Sequence, residues 1–292
     1  MNPRYRFSSI ALLLALVLSA PPLFAQAPAT EKPQTQTPAT QKPQTQKPAT
    51  ETTKPYEPQV GQEGKDVVWV PTPQALVDKM LDMAKVTPQD FLMDLGSGDG
   101  RTVITAAKRG TRAMGIEYNP DMVELSKKNA AAAGVSDKAT FMKADLFETD
   151  LSKATVVTMF LLPSINVKLR PTILNLKPGT RVVSNTFTME DWQPDETAEV
   201  TDDCTSWCKA LLWIVPAKVE GTWTMPEGEL KLTQQFQNVT GTLGSATVTG
   251  KLRGNDLTFT AGNMKYSGKV EGNMIHGTGG GTNGKPWMAT KK

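Results

Sequence analysis

Three glycines alternate with small polar residues in MDLGSGDGR, residues 93–101, at Gly96, Gly98 and Gly100. An apolar run precedes them and a helix-like run follows. A turn free of bulky side chains that feeds a helix start lets backbone N–H groups approach a ligand closely. Asp94 stands two residues before the first glycine, at the end of the apolar run. Glu117 follows in GIEYNP, roughly 20 residues downstream, and Asp145 follows in KADL. Each acid closes a strand-like stretch. Three carboxylates at the carboxyl ends of three successive strands form one rim of a crevice, suited to a nucleotide-like ligand that carries positive charge.

The glycine spacing narrows the ligand. A dinucleotide turn wants G-x-G-x-x-G, and the third glycine position is held here by Arg101. A phosphate-cradling turn would continue Gly-Lys-Ser/Thr, which is absent. Asp94 inside the strand end suits a cation better than a pyrophosphate. S-adenosylmethionine, with its α-amino group and sulfonium, is such a ligand. Gly96, Ser97, Gly98 and Gly100 would form its turn. Glu117 would accept from both ribose hydroxyls, which alone does not separate this cofactor from a dinucleotide. Asp145, with Leu146 beside it, would accept from an adenine amino group.

These residues need elements to hold them. VVWVPTPQALVDKMLDMAK predicts a helix with Thr72 as N-cap and Pro73 in its first turn. FLMDL, RAMGIEY, ATFMKAD, TVVTMFLL and RVVSNTF read as strands, separated by helices over 101–109, 121–133 and 164–176, the last interrupted by Pro171. Such alternation means a parallel sheet covered on both faces. TAEVTDD and KALLWIVPAKV then read as an antiparallel pair, linked by CTSWC. Cys204 and Cys208 are expected to close that link as a disulfide. The single histidine, His276, lies far from the glycine turn, so histidine-based triads and multi-histidine metal sites are excluded from this part of the chain, and no metal is expected.

From Gly221 onward short alternating runs are broken by Gly, Asn and Asp. ELKLTQQF, ATVTGKL, DLTFTA, MKYSGKV and MIHGT read as successive strands of a small all-β domain, a sheet or partial barrel. Its aromatic residues Trp223, Phe236, Phe259, Tyr266 and Trp287 fit a core at strand spacing, with a binding face as the other reading. GTGGGTNGKPW reads as a loop before a last short strand.

The 292-residue chain opens with Arg4 and Arg6, an apolar run over 10–20, and small residues up to Ala25. That order reads as a secretory signal cleaved after Ala25; an uncleaved anchor is the alternative. The run is shorter than the about 20 residues of a membrane span, and no later segment is apolar enough to be one. A periplasmic or secreted location is therefore expected. Residues 26–65 form a Pro/Thr/Gln-rich linker, with PATEKPQTQT followed by PATQKPQTQK. Loss of the signal takes the formal charge from +3 to +1, which offers no electrostatic footprint for nucleic acid. A monomer is expected.

Residues 66–216 resemble a class I S-adenosylmethionine-dependent methyltransferase. WVPTPQALVDKML, DLGSGDGRTVITAA, GIEYNP and VVTMFLLP followed by LKPGTRVVSNTF are similar to the small protein-lysine methyltransferases related to the ATP synthase c-subunit methyltransferase. The resemblance implies an α/β fold with a Rossmann-like seven-stranded sheet ending in an antiparallel hairpin, followed by the all-β domain over 217–292. It also implies that Pro71, Thr72 and Pro73 help to close the cofactor pocket. The export signal, linker and β-rich tail depart from the family.

Methyl transfer to an amine needs positioning and a neutral nucleophile, which an apolar channel favours. The acceptor is expected beyond the fourth strand, at Phe160, Leu161, Leu162 and Pro163. FLLP there differs from the polar motif of DNA and glutamine methyltransferases. Asn185 and Thr186 are the nearest polar candidates to orient an acceptor, with ordinary strand-end bonding as the other reading. The expected acceptor is a protein lysine or small amine; the alternative function is an exported binding protein without turnover.

Overall fold

The computed structural model describes residues 56–280 and 284–292, with side chains described except at 278–280. The export signal and the linker up to residue 55 lie outside the described residues. A seven-stranded sheet and a closed barrel make up the fold.

The sheet contains β1 (Phe91–Leu95), β2 (Arg112–Glu117), β3 (Ala139–Lys143), β4 (Val156–Met159), β5 (Arg181–Asn185), β6 (Glu196–Glu199) and β7 (Lys209–Ile214). Its order is β3-β2-β1-β4-β5-β7-β6. The first five strands run parallel; β7 is antiparallel to β5, and β6 to β7. Central strands covered on both faces carry unbroken apolar runs. The four residues of β4 are accordingly all buried, as are the last four of β1. Helices α1 (Gln74–Met83), α2 (Arg101–Lys108), α3 (Pro120–Ala132) and α4 (Pro163–Leu174) accompany the strands.

Two helix expectations change. Thr72 does not cap α1: Pro73 is the N-cap, without a side-chain cap bond. The Thr72 hydroxyl turns inward instead and accepts from Asn185 Nδ2 at 3.3 Å. α4 runs through Pro171 without interruption. Pro171 is exposed and in the last turn of the helix, so the loss of one backbone hydrogen bond there does not break it. The linker also ends earlier than residue 65. Gly61 N–H donates to the Trp69 carbonyl, Trp69 N–H donates to the Gln62 carbonyl, and Gln62 Nε2 donates to the Tyr56 hydroxyl, so 56–69 is a folded strap.

β8 (Gly221–Met225), β9 (Gly228–Gln235), β10 (Asn238–Leu243), β11 (Ala246–Arg253), β12 (Asp256–Ala261), β13 (Met264–Glu271), β14 (Met274–Gly280) and β15 (Trp287–Lys291) form an antiparallel meander. Pairing of β15 with β8 closes it into an eight-stranded barrel, which removes the free edges of an open sheet. The sequence reading missed β8 and β10. Burial alternates strictly along β12, as a filled barrel requires. Trp223, Phe259, Tyr266 and Trp287 fill the interior. Phe236 leaves that core and stacks on Trp192 beside the sheet, with ring centres 5.8 Å apart. Gln237 Nε2 donates to the Gln193 carbonyl, and Ala217 N–H to the Gly254 carbonyl, tying barrel to sheet.

Candidate active site

The glycine turn links β1 to α2 at the carboxyl edge of the sheet. Gly96 and Ser97 N–H groups both donate to the Ile116 carbonyl of β2. Gly100 adopts φ +83° and lies so close to its neighbours that a Cβ would stand 2.8 Å from the Phe141 ring and 2.9 Å from Ser126. Only glycine permits this combination of left-handed backbone and close packing. Arg101 then begins α2. Its guanidinium pairs with Asp99 at 2.6 Å and donates to the Thr72 carbonyl at 2.9 Å, fastening the turn to the segment before α1.

The three acids share one cavity of about 420 Å³. Asp94 is buried at the end of β1 and accepts from Thr158 Oγ1 at 2.6 Å. Burial raises its pKa to about 7, with the nearby Asp99 and Glu117 charges adding to the rise and the Thr158 and Thr102 hydroxyls opposing it. Glu117 accepts from the N–H groups of Gly98 (3.0 Å) and Asn119 (2.9 Å), so its carboxylate is held by both loops of the rim. Asp145 pairs with Lys65 from the strap and accepts from Phe147 N–H at 2.9 Å. The Lys65 hydrogen bond is the main reason that the Asp145 carboxyl lies below its ordinary pKa.

Thr72, Asp94, Gly96, Ser97, Gly98, Glu117, Asp145, Leu146 and Phe160 all line this cavity. Gly100 instead packs under Phe141. Pro163, in the first turn of α4, does not line it either. Asn185 is wholly buried and does not line the cavity: its Nδ2 donates to Thr72 Oγ1 at 3.3 Å, while its Oδ1 has no hydrogen-bond partner among the described residues. Sequence reasoning missed the strap residues Lys65 and Trp69, together with Tyr118, Phe187 and Trp207. Tyr118 had a local signal, since it directly follows Glu117. Phe187 and Trp207 lie just beyond β5 and inside CTSWC, where no motif marks them.

The residues fit S-adenosylmethionine. The cavity has the size of a small-molecule site, apolar over much of its wall with a few convergent acids. Asp94 is a buried carboxylate whose ionisation is opposed by burial and by the neighbouring Asp99 and Glu117 charges. The buried Ser97 hydroxyl, which packs against Gly115 of β2, has no hydrogen-bond partner among the described residues.

A family model for the ANTKMT methyltransferase domain matches residues 94–196, from Asp94 to the start of β6. The chain is 46% identical over 139 residues to a protein-lysine N-methyltransferase from Saccharolobus islandicus, covering 47% of this chain and 86% of that protein. It is 38% identical over 120 residues to the mouse adenine nucleotide translocase lysine N-methyltransferase and 40% over 107 residues to the mouse ATP synthase c-subunit lysine N-methyltransferase. In the mouse proteins the chain spans only 52% and 43% of the length. A solved RNA methyltransferase from Salinibacter ruber, in complex with S-adenosyl-L-homocysteine, is 49% identical, with a TM-score of 0.48 over 51% of this chain and 96% of that one. The 46% identity over 86% of the Saccharolobus islandicus protein shows that this chain belongs to the S-adenosylmethionine-dependent protein-lysine methyltransferases.

Proposed function

We propose that the protein methylates the ε-amine of a lysine in a protein substrate. The observation that carries this reading is the convergence of Asp94, Glu117 and Asp145 on one cavity that is also walled by Phe160, Leu161, Leu162 and Phe187. S-adenosylmethionine, when bound, supplies a methyl group that passes from its sulfonium to the lone pair of the neutral amine. Asp94 would receive the cationic end, Glu117 the ribose hydroxyls and Asp145 the adenine edge. Gly96 and Gly98 let the backbone come close. The apolar wall disfavours an ammonium ion and so favours the nucleophilic amine. The lysine proton leaves to water before the transfer, and no side chain is assigned as base.

The proposed setting is outside the cytoplasm. The basic, apolar and small-residue order up to Ala25 supports export, and so does the disulfide between Cys204 and Cys208. No observation favours the alternative of an exported binder without turnover.

Calorimetry on the chain lacking residues 1–25 tests the cofactor site. S-adenosylmethionine should bind, and Asp94→Ala and Glu117→Ala should each weaken it tenfold or more, as for a lost charged hydrogen bond of about 1.5–3 kcal/mol. Absence of binding at millimolar ligand would sink the reading. Radiolabelled methyl transfer into envelope proteins, followed by acid hydrolysis to methyl-lysine, tests the acceptor.

A further inference from the structure

Trp207 is an exposed tryptophan in an unusual setting. It is 44% exposed, yet its backbone adopts φ +54°, a left-handed conformation that costs a bulky residue energy. It immediately precedes Cys208, whose disulfide to Cys204 closes the five-residue loop CTSWC. The exit of the loop is fastened to the turn after β5: Thr186 N–H donates to the Lys209 carbonyl at 2.7 Å, and Val200 N–H donates to that of Cys208. Neither packing in a core nor pairing in a strand accounts for holding an indole in this way. Its surroundings do. The ring lies 6.0 Å from Phe160, edge to face, and Phe160 stacks on Phe187 at 5.8 Å. All three line the cavity that holds the acids, and none has a cation–π contact from a Lys or Arg of the described residues.

We infer that the disulfide loop presents Trp207 as the third aromatic wall of the acceptor entrance, where with Phe160 and Phe187 it receives the methylated ammonium of a lysine side chain. This rests on the lysine-methyltransferase reading above. An aromatic face attracts a cation, and the attraction grows as water is excluded. A methylated ammonium sheds water more readily than a bare one, so the three rings hold the partly methylated product at the entrance. There it must release a proton to water and become the neutral amine before it can take a further methyl group. Trp207 thus sets specificity; the methyl transfer itself proceeds on the groups already named.

The probe is Nα-acetyl-Nε,Nε,Nε-trimethyllysine amide, titrated into the S-adenosylhomocysteine-loaded protein lacking residues 1–25, alongside the uncharged analogue with a tert-butyl group in place of trimethylammonium. The charged probe should bind more tightly than its analogue. Trp207→Ala should weaken it about fivefold, Trp207→Phe should keep most of the affinity, and reduction of the disulfide should act like Trp207→Ala. S-adenosylhomocysteine affinity should stay unchanged in all three. Equal binding of charged and uncharged probes, or no loss in Trp207→Ala or on reduction, overturns the inference while the cofactor reading stands. Failure of the unaltered protein to bind S-adenosylhomocysteine overturns both.

Discussion

Thr158 donates a 2.6 Å hydrogen bond to Asp94 directly across the β4–β1 pair, and both side chains are buried. Burial raises the Asp94 carboxyl from the ordinary 3.8 to a pKa of about 7. Between about pH 4 and 7 the native chain therefore keeps a proton that the unfolded chain has released. Stability falls as pH rises through that window and levels off above it. Asp94→Asn lacks this titration, so its melting temperature relative to the unaltered protein should climb from pH 4.5 to about 7 and then stay constant. Cofactor affinity should move the opposite way, since a cationic ligand needs the carboxylate: it should rise towards pH 7 and plateau. Parallel melting curves for the two proteins at every pH would show that Asp94 does not titrate there.

Lys65 reaches Asp145 across 80 residues of sequence, and its ammonium lies 5.0 Å from the Tyr118 ring centre. The pair is partly exposed, and such pairs contribute little to folding. Its consequence is for the strap, which the pair draws over the cavity. Lys65→Ala should leave the melting temperature nearly unchanged while raising the S-adenosylmethionine dissociation rate about threefold, the weak effect expected of one screened ion pair. The difference should shrink in 0.5 M salt. Stopped-flow displacement reads it; identical rates for both proteins would leave the strap without a closing role.

The acids of the rim are legible from sequence because buried parallel strands leave short apolar runs, and Asp94 and Glu117 end theirs. Asp145 follows β3 at the same edge. The disulfide loop and the switch from helix-and-strand alternation to a meander are legible too, from cysteine spacing and from turn residues. The strap is not. Residues 56–65 have the polar, proline-containing texture of the linker, and their order comes from distant partners such as Asp145. Thr72 misleads for the same reason. Its local context is that of a helix cap, but Asn185, 113 residues away, claims its hydroxyl. Phe187 and Trp207 belong to two chain turns that meet only in the folded sheet.

Gly98 tests the strap from the opposite side. It adopts φ +53°, and a Cβ there would stand 2.5 Å from Trp69 Nε1. Gly98→Ala must therefore both take up a left-handed conformation, at roughly 1–2 kcal/mol, and push the indole away. Cofactor binding should fall at least tenfold, with a modest loss of stability. Trp69→Ala relieves the contact, so the double variant should bind better than Gly98→Ala alone. A double variant no better than the single one would assign the whole loss to the backbone.

Trp192 joins the two halves of the fold. It is wholly buried, stacks on Phe236 of the barrel side at 5.8 Å and meets Trp213 of β7 at 6.2 Å, while its carbonyl accepts from Trp213 Nε1 at 2.8 Å. Trp192→Ala removes a large ring from a closed setting and should cost about 3–5 kcal/mol. For a folded unit of this size that lowers the melting temperature by about 10 °C. Because the ring touches both parts, calorimetry should show one transition moving as a whole. A barrel transition that stays in place while the sheet melts earlier would mean that the Phe236 contact does not couple them. Phe236→Ala separates the two cases further: it should lower the same single transition by a smaller amount, since the Trp192–Trp213 contact survives.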